Sequence, residues 1–386
     1  MKRTLVHSLS ALTLGLVAAC GSGGGGSKQP PGGPGGGPNP PAQDIWVTAY
    51  YAGWQADYLP VEEIDFSAFT HLAHFAVLPA AGGALDLDTL GLTRNAMDKV
   101  VGRAHAAGRK VILTVGGWGT QAAFEEAMAD ANRATFVANL VGVVRQHGYD
   151  GLDLDMEPIS DVDRAPYTAL VKELRSALDA AAPHLLLTAA IGWEVDLFAA
   201  LQDSFDQVNL MTYDLAGPWD GWETWHNAPL KDGGLTFAST GEPLPSIDGL
   251  VQQALDAGMA QEKLGIGIDF YGYVWHGATE PNQSLDQVTM FEDKSYAEIV
   301  KLWGEGEDVH RWHAGPEASY LSIGGDDPAF VSYDDARLCA AKVDYVRARG
   351  IGGAIIWELG GGWQPAAPSG QQDVLLQAVG AALRSR

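Results

Sequence analysis

Cysteine is nearly absent from this chain, with Cys20 and Cys339 the only two in 386 residues. Cys20 sits in an N-terminal leader, so no intrachain disulfide is expected and the fold must rest on its hydrophobic core. Basic residues are also scarce. Lys and Arg number 24 against 48 Asp and Glu, a formal net charge of −24. A polyanion such as nucleic acid would be repelled, which removes that class of partner, while a neutral ligand is unaffected. What the chain does have is glycine, 48 residues, and tryptophan, 12 residues. Exposed indole faces suit flat, neutral ligands such as sugars, although core packing is the default for any single tryptophan.

The chain opens with Lys2 and Arg3, continues through the apolar stretch Leu9 to Val17 and reaches Ala18-Ala19 directly before Cys20. Residues 1–19 form a signal peptide, too short to be a spanning helix. Small residues before a cysteine resemble the bacterial lipobox, which implies that Cys20 becomes the N-terminus and carries a lipid; plain secretion is the alternative. Residues 20–43 then run as lipidated Cys20 plus a Gly/Pro-rich linker with no side chain able to build a core. Such a tether reaches about 25–30 Å. The expected location is therefore extracytoplasmic: lipid-anchored at the cell surface, on the outer membrane where two membranes exist, or secreted. The membrane is met only through this anchor.

From Asp44 onward, short β-branched or aromatic runs alternate with segments of helical periodicity. Eight strands are expected, at Ile45–Tyr51, His71–Val77, Lys110–Val115, Gly151–Met156, Leu185–Ile191, Gln207–Tyr213, Leu264–Phe270 and Gly353–Trp357. Amphipathic stretches such as Arg133–His147 and Asp334–Arg349 lie between them. The pattern predicts an α/β fold, a (β/α)₈ TIM barrel spanning residues 44–386. About sixty residues separate the seventh and eighth units, more than a βα loop needs, so a small α+β insertion is expected at about residues 274–333. In such barrels the chemistry sits at the carboxyl ends of the strands.

One strand is unusual there. In Gly151-Leu-Asp-Leu-Asp-Met-Glu157, strand alternation places Asp153, Asp155 and Glu157 on one face and Leu152, Leu154 and Met156 on the other. Three carboxyl groups aimed into a barrel repel one another and are partly desolvated, so at least one should hold a proton near neutral pH, as a general acid requires. A carboxylate cage for a hard cation and a solvated acidic strand end are the competing readings. The first lacks carbonyl-rich loops or histidine partners in the sequence, and the second conflicts with a strand buried on both faces.

Asp150-Gly-x-Asp-x-Asp-x-Glu157 resembles the signature of family 18 glycoside hydrolases, the chitinases and their relatives. Further blocks follow in order: Tyr50-Tyr-Ala-Gly-Trp54, Thr114-Val-Gly-Gly-Trp118 with Thr in place of Ser, Met211-Thr-Tyr213-Asp214-Leu-Ala-Gly-Pro-Trp219, and Trp357 in the last strand. Tyr273 stands where many chitinases have arginine, which changes one substrate contact. The resemblance implies hydrolysis of β-1,4-linked N-acetylglucosamine polymers, with chitin or chitooligosaccharide as the partner. It also implies retention of configuration through attack by the substrate's own acetamido oxygen and an oxazolinium intermediate. Glu157 would be the acid and base, and Asp155 would orient the acetamide. Asp153 would share a proton with Asp155, supported from below by Tyr50 and Thr114. Tyr213 would donate to the acetamido oxygen. Met211, Asp214, Trp118, Trp219, Tyr271 and Trp357 would shape the sugar sites together with Tyr50. No cofactor and no metal is implied.

Two rivals use the same fold: an endo-β-N-acetylglucosaminidase acting on N-glycans, and a non-catalytic chitin-binding protein, which usually lacks the terminal glutamate of the motif. The spacing His310-Arg-Trp-His313 has no acidic or cysteine partners at justified intervals and reads as packing.

Overall fold

The computed structural model describes residues 44–385. The signal peptide, the lipidated Cys20 and the linker lie outside the described residues. Eight strands, β1 (Trp46–Ala52), β2 (His71–Ala80), β3 (Lys110–Trp118), β4 (Gly151–Glu157), β5 (Leu186–Ile191), β6 (Gln207–Leu210), β7 (Leu264–Asp269) and β8 (Gly353–Trp357), pair in sequential order. All of these pairings are parallel, and β1 bonds to both β2 and β8, which closes the barrel.

Between strands the chain crosses back as amphipathic helices, among them Arg94–Ala106, Arg133–His147, Arg164–Ala181, Ile247–Asp256 and Ala336–Arg349. Their starts are set by side-chain caps: Thr93, Ser246 and Asp335 each accept a hydrogen bond from the backbone N–H three residues on. Leu152, Leu154 and Met156 of β4 are buried in one hydrophobic cluster with Phe136, Leu140, Leu170 and Leu174 of the flanking helices. Full burial of each such side chain contributes about 1.5–3 kcal/mol. This outward anchorage leaves the opposite face of β4 for the carboxyl groups.

β6 ends at Leu210, three residues short of the sequence expectation. At Thr212 the side chain replaces the backbone ladder: the Gly267 N–H donates to Thr212 Oγ1 at 2.8 Å, and that hydroxyl donates to Gly267 O at 3.2 Å. Met211, Thr212 and Tyr213 therefore run as irregular backbone past β6 rather than as strand.

The insertion is a five-stranded antiparallel sheet of Tyr271–His276, Met290–Ser295, His310–His313, Ala318–Ile323 and Ala329–Tyr333, with the helix Tyr296–Trp303. Its first strand starts at Tyr271, directly after β7, so Tyr271 and Tyr273 belong to this sheet. Val274, Ile299, Leu321 and Val331 join the barrel's core cluster. Trp275, Tyr320 and Phe330 form a smaller core with Ala216, Trp225 and Leu244 from the long segment after β6.

Candidate active site

Strand register assembles the site. On three adjacent strands Thr114, Asp153 and Thr188 are direct partners, so two hydroxyls flank one carboxylate. Thr114 Oγ1 donates to Asp153 Oδ2 at 3.2 Å, Thr188 Oγ1 donates to Oδ1 at 2.6 Å, and Tyr50 Oη reaches from β1 to Oδ2 at 2.7 Å. Burial raises the Asp153 carboxyl above its ordinary range, and the three hydroxyls pull it partly back.

Asp155, one step nearer the mouth, is buried, and its Oδ1 has no hydrogen-bond partner. The carboxyl it interacts with most closely is Glu157 rather than Asp153, whose oxygens the hydroxyls occupy. Burial, and then the charges of Glu157 and Asp153, push Asp155 well above the usual carboxylate range. Glu157 is half-buried at the end of β4, and its carboxyl is pushed up to about 7, first by burial and then by the negative charge of Asp214, with Glu194 adding to it. The Asp155 hydrogen bond opposes these. A carboxyl at about 7 is matched to proton transfer near neutral pH.

Two glycines let this ladder form. Gly116 and Gly117 have φ of +113° and +112°, and a Cβ at Gly116 would stand 2.1 Å from the Asp155 carbonyl oxygen. At Gly117 it would stand 2.6 Å from the Phe75 ring. That ring packs edge-on to Trp357 at 4.7 Å, and Trp357 in turn lies 5.6 Å from the Tyr50 ring. Met211 closes the same cluster.

Tyr213 is buried, edge-on to Tyr271 at 6.0 Å, with its ring so close to Gly267 that a Cβ there would clash at 2.6 Å. Asp214 follows in a left-handed conformation, φ 58°. Its backbone N–H donates to Asn227 Oδ1 at 3.0 Å, and its Oδ1 accepts from both Tyr271 and Tyr273. The Asp214 carboxyl is open to the mouth yet crowded by protein, which raises its pKa against the lowering effect of the two phenols.

Aromatic rings line the rim. Trp118 is 65% exposed at the end of β3, Trp193 is 63% exposed just past β5, and Trp54 is 49% exposed just past β1. Trp219 instead is half-buried, edge-on to Trp222 at 4.5 Å. His310 Nε2 is 2.9 Å from Asp335 Oδ2, the cap of the helix Ala336–Arg349, and His313 Nδ1 is 3.0 Å from His226 Nε2 in the segment after β6, so those histidines pack the insertion against its neighbours.

The profile of the family described as "Glycosyl hydrolases family 18" matches residues 47–362. The chain belongs to that family. It is 31% identical over 300 residues to Chitinase A1 of Niallia circulans, covering 65% of this chain and 40% of that protein. It is also 31% identical over 281 residues to a probable endochitinase of Caenorhabditis elegans, covering 65% of this chain and 43% of that one. The chain thus spans less than half the length of either relative. Among solved structures it is similar to the second catalytic domain of the Ostrinia furnacalis Group II chitinase in complex with penta-N-acetylchitooctaose, (NAG)5. That similarity has a TM-score of 0.74 and 26% identity, covering 89% of this chain and 97% of that one.

Within this family 18 barrel the sequence-expected Tyr50, Thr114, Asp153, Asp155, Glu157, Met211, Tyr213, Asp214, Tyr271 and Trp357 converge on one mouth, with Trp118 on its rim. Tyr273, which the sequence marks only as a departure from arginine, bonds to Asp214, whereas Thr188, Phe75, Trp193, Glu194 and Asn227 belong to no block of the resemblance. Trp193 had a usable signal, an indole directly after a strand end. Thr188 had none, because register between strands is invisible in one chain.

Proposed function

We propose that the protein is a chitinase, cleaving β-1,4-linked N-acetylglucosamine polymers with retention by substrate-assisted catalysis. The observation that carries this reading is the graded carboxyl ladder: Asp153 saturated by three hydroxyls, Asp155 buried with a free Oδ1, and Glu157 at the mouth at about 7. Glu157 donates its proton to the leaving glycosidic oxygen while the acetamido oxygen of the same sugar attacks the anomeric carbon. Asp155 holds the acetamide N–H and balances the positive oxazolinium, and Tyr213 donates to the acetamido oxygen. Water, deprotonated by Glu157, then opens the ring. Trp357 floors the reacting sugar, and Trp118, Trp193 and Trp54 offer stacking faces along the rim. Anchorage through lipid on Cys20 is part of the proposal; loss of fatty-acid labelling in Cys20→Ser tests it.

The soluble domain, residues 44–386, is to be incubated with chitin oligosaccharides and with a high-mannose glycopeptide, beside Glu157→Gln. Release of β-configured products from the oligosaccharides, lost by about 10³-fold or more in Glu157→Gln, is expected. Binding without turnover would leave a lectin-like protein, and turnover of the glycopeptide alone would make it an endo-β-N-acetylglucosaminidase.

A further inference from the structure

Behind the site lies a set of buried polar groups that the reaction itself does not use. Lys342, on the helix Ala336–Arg349, is fully buried; its Nζ donates to Asp269 Oδ1 at 3.0 Å and also to Asp334 Oδ2. Burial works against a charge on Lys342, but the two carboxylates outweigh it and raise its pKa. Asp269, the last residue of β7, uses its second oxygen to accept from Asn227 Nδ2 at 2.7 Å.

Asn227 is itself fully buried, and its polar groups are all engaged. Oδ1 takes the Asp214 N–H, the carbonyl takes the Leu215 N–H at 2.9 Å, and the N–H donates to Ser332 Oγ at 2.8 Å on the insertion sheet. The amide therefore clips a left-handed aspartate, a conformation a non-glycine residue adopts only when its surroundings impose it. A bond to the Asp214 N–H fixes where the Cα–Cβ vector points, and that vector directs the carboxylate toward Tyr271 and Tyr273.

We infer that Asn227, anchored through Asp269 to Lys342 and Asp334, is a positioning residue that holds Asp214 in its left-handed conformation and so aims the Asp214 carboxylate within the mouth. The idea rests on the reading of Glu157 as the proton donor. The ionisable groups whose charges act on Glu157 are Asp155 from its own strand, Asp214 after β6, Glu194 after β5 and Tyr213 beside Asp214. Of these, Asp214 is the one whose backbone Asn227 holds. Releasing Asp214 weakens a repulsion that keeps the proton on Glu157, so the Glu157 carboxyl should titrate lower. Loss of folded fraction can distort an activity profile, because stability itself depends on pH, but it leaves the Glu157 carboxyl midpoint read on the folded protein where it is.

The test is a carbon-13 NMR titration of the Glu157 carboxyl in wild type, Asn227→Ala, Asp214→Asn and the double variant, alongside pH profiles of kcat/KM on chitin oligosaccharide. In Asn227→Ala the midpoint and the alkaline limb should fall together by about half a pH unit or more. In the double variant they should fall no further than in Asp214→Asn alone. An unchanged midpoint in folded Asn227→Ala, or fully additive shifts, would overturn the inference. Should Asn227→Ala not fold, amide hydrogen exchange on the wild type decides: the Asp214 N–H should be protected by about 10³-fold or more, and rapid exchange sinks the idea. The NMR midpoint needs no turnover, so an inactive wild type would count against the chitinase reading and leave this one to its own result.

Discussion

At the scale of single residues, the site works by withholding water from carboxyl groups and then supplying a chosen number of donors. Asp153 receives three hydroxyls, and Thr188 makes the shortest of those bonds. Thr188→Val, nearly isosteric, leaves Asp153 Oδ1 buried without that donor, so stability should fall by about 1–3 kcal/mol in urea denaturation. The Asp153 carboxyl should also rise further, with activity reduced while Asn or Ser substitutions elsewhere on the rim leave the protein folded. Glu157 allows a pH prediction with a fixed sign. It titrates near 4.5 in the unfolded chain and near 7 in the fold, so between those values the folded state keeps a proton that the unfolded state has released. Wild-type stability is thereby lost as pH rises from about 4.5 to about 7. Glu157→Gln lacks this linkage, so its advantage in Tm over wild type should grow across that window and stay level above it; an advantage that shrinks with rising pH would contradict the assignment. The residues behind these predictions were unequally visible in the sequence. Asp153, Asp155 and Glu157 announce themselves by alternation within one strand, whereas Thr188 and Asn227 matter only through strand register and a long return of the chain.

At the scale of elements, the eight strands were legible because each is a short apolar run bounded by turns, and the helices because their caps and periodicity agree. What pattern could not supply was where a strand stops. β6 ends early because a threonine hydroxyl displaces the ladder, a substitution of side chain for backbone that hydropathy does not register. The same holds for the Gly116-Gly117 pair, whose meaning is geometric: β3 must turn its backbone against β4 at the height of Asp155. Gly116→Ala would force a methyl to 2.1 Å from a backbone oxygen, at a φ that an L side chain rarely adopts. Since backbone, not a flexible side-chain end, is in the way, a loss of about 3 kcal/mol or more is expected, measured by the chemical denaturation midpoint. A near-neutral effect would mean that β3 and β4 are further apart than they stand here.

At the scale of the whole molecule, the length of the gap before the last strand gave away an insertion but not its attachment. The insertion is neither a bead on the barrel nor a lid. Its apolar residues continue the barrel core, its first strand supplies Tyr271 and Tyr273 to Asp214, and Lys342 ties the helix Ala336–Arg349 to the end of β7 and to Asp334 at the junction. One cooperative unfolding transition is therefore expected, with tryptophan fluorescence, to which Trp275 and Trp312 contribute, coinciding with the far-ultraviolet signal of the barrel. Lys342→Met probes that junction most sharply. Removing the ammonium leaves two carboxyl groups in a buried site; burial and the neighbouring Asp269 already push Asp334 well above the usual carboxylate range, so one can take up a proton, but the other remains an uncompensated charge. Breaking a buried pair in this way costs about 3–5 kcal/mol. Adding Asp269→Asn and Asp334→Asn to Lys342→Met removes the stranded charge and should restore much of the loss, because the cost lies in the unpaired ion rather than in the missing bond. If the single variant were as stable as wild type, or if fluorescence and far-ultraviolet transitions separated, the insertion would have to be treated as a unit that folds apart from the barrel.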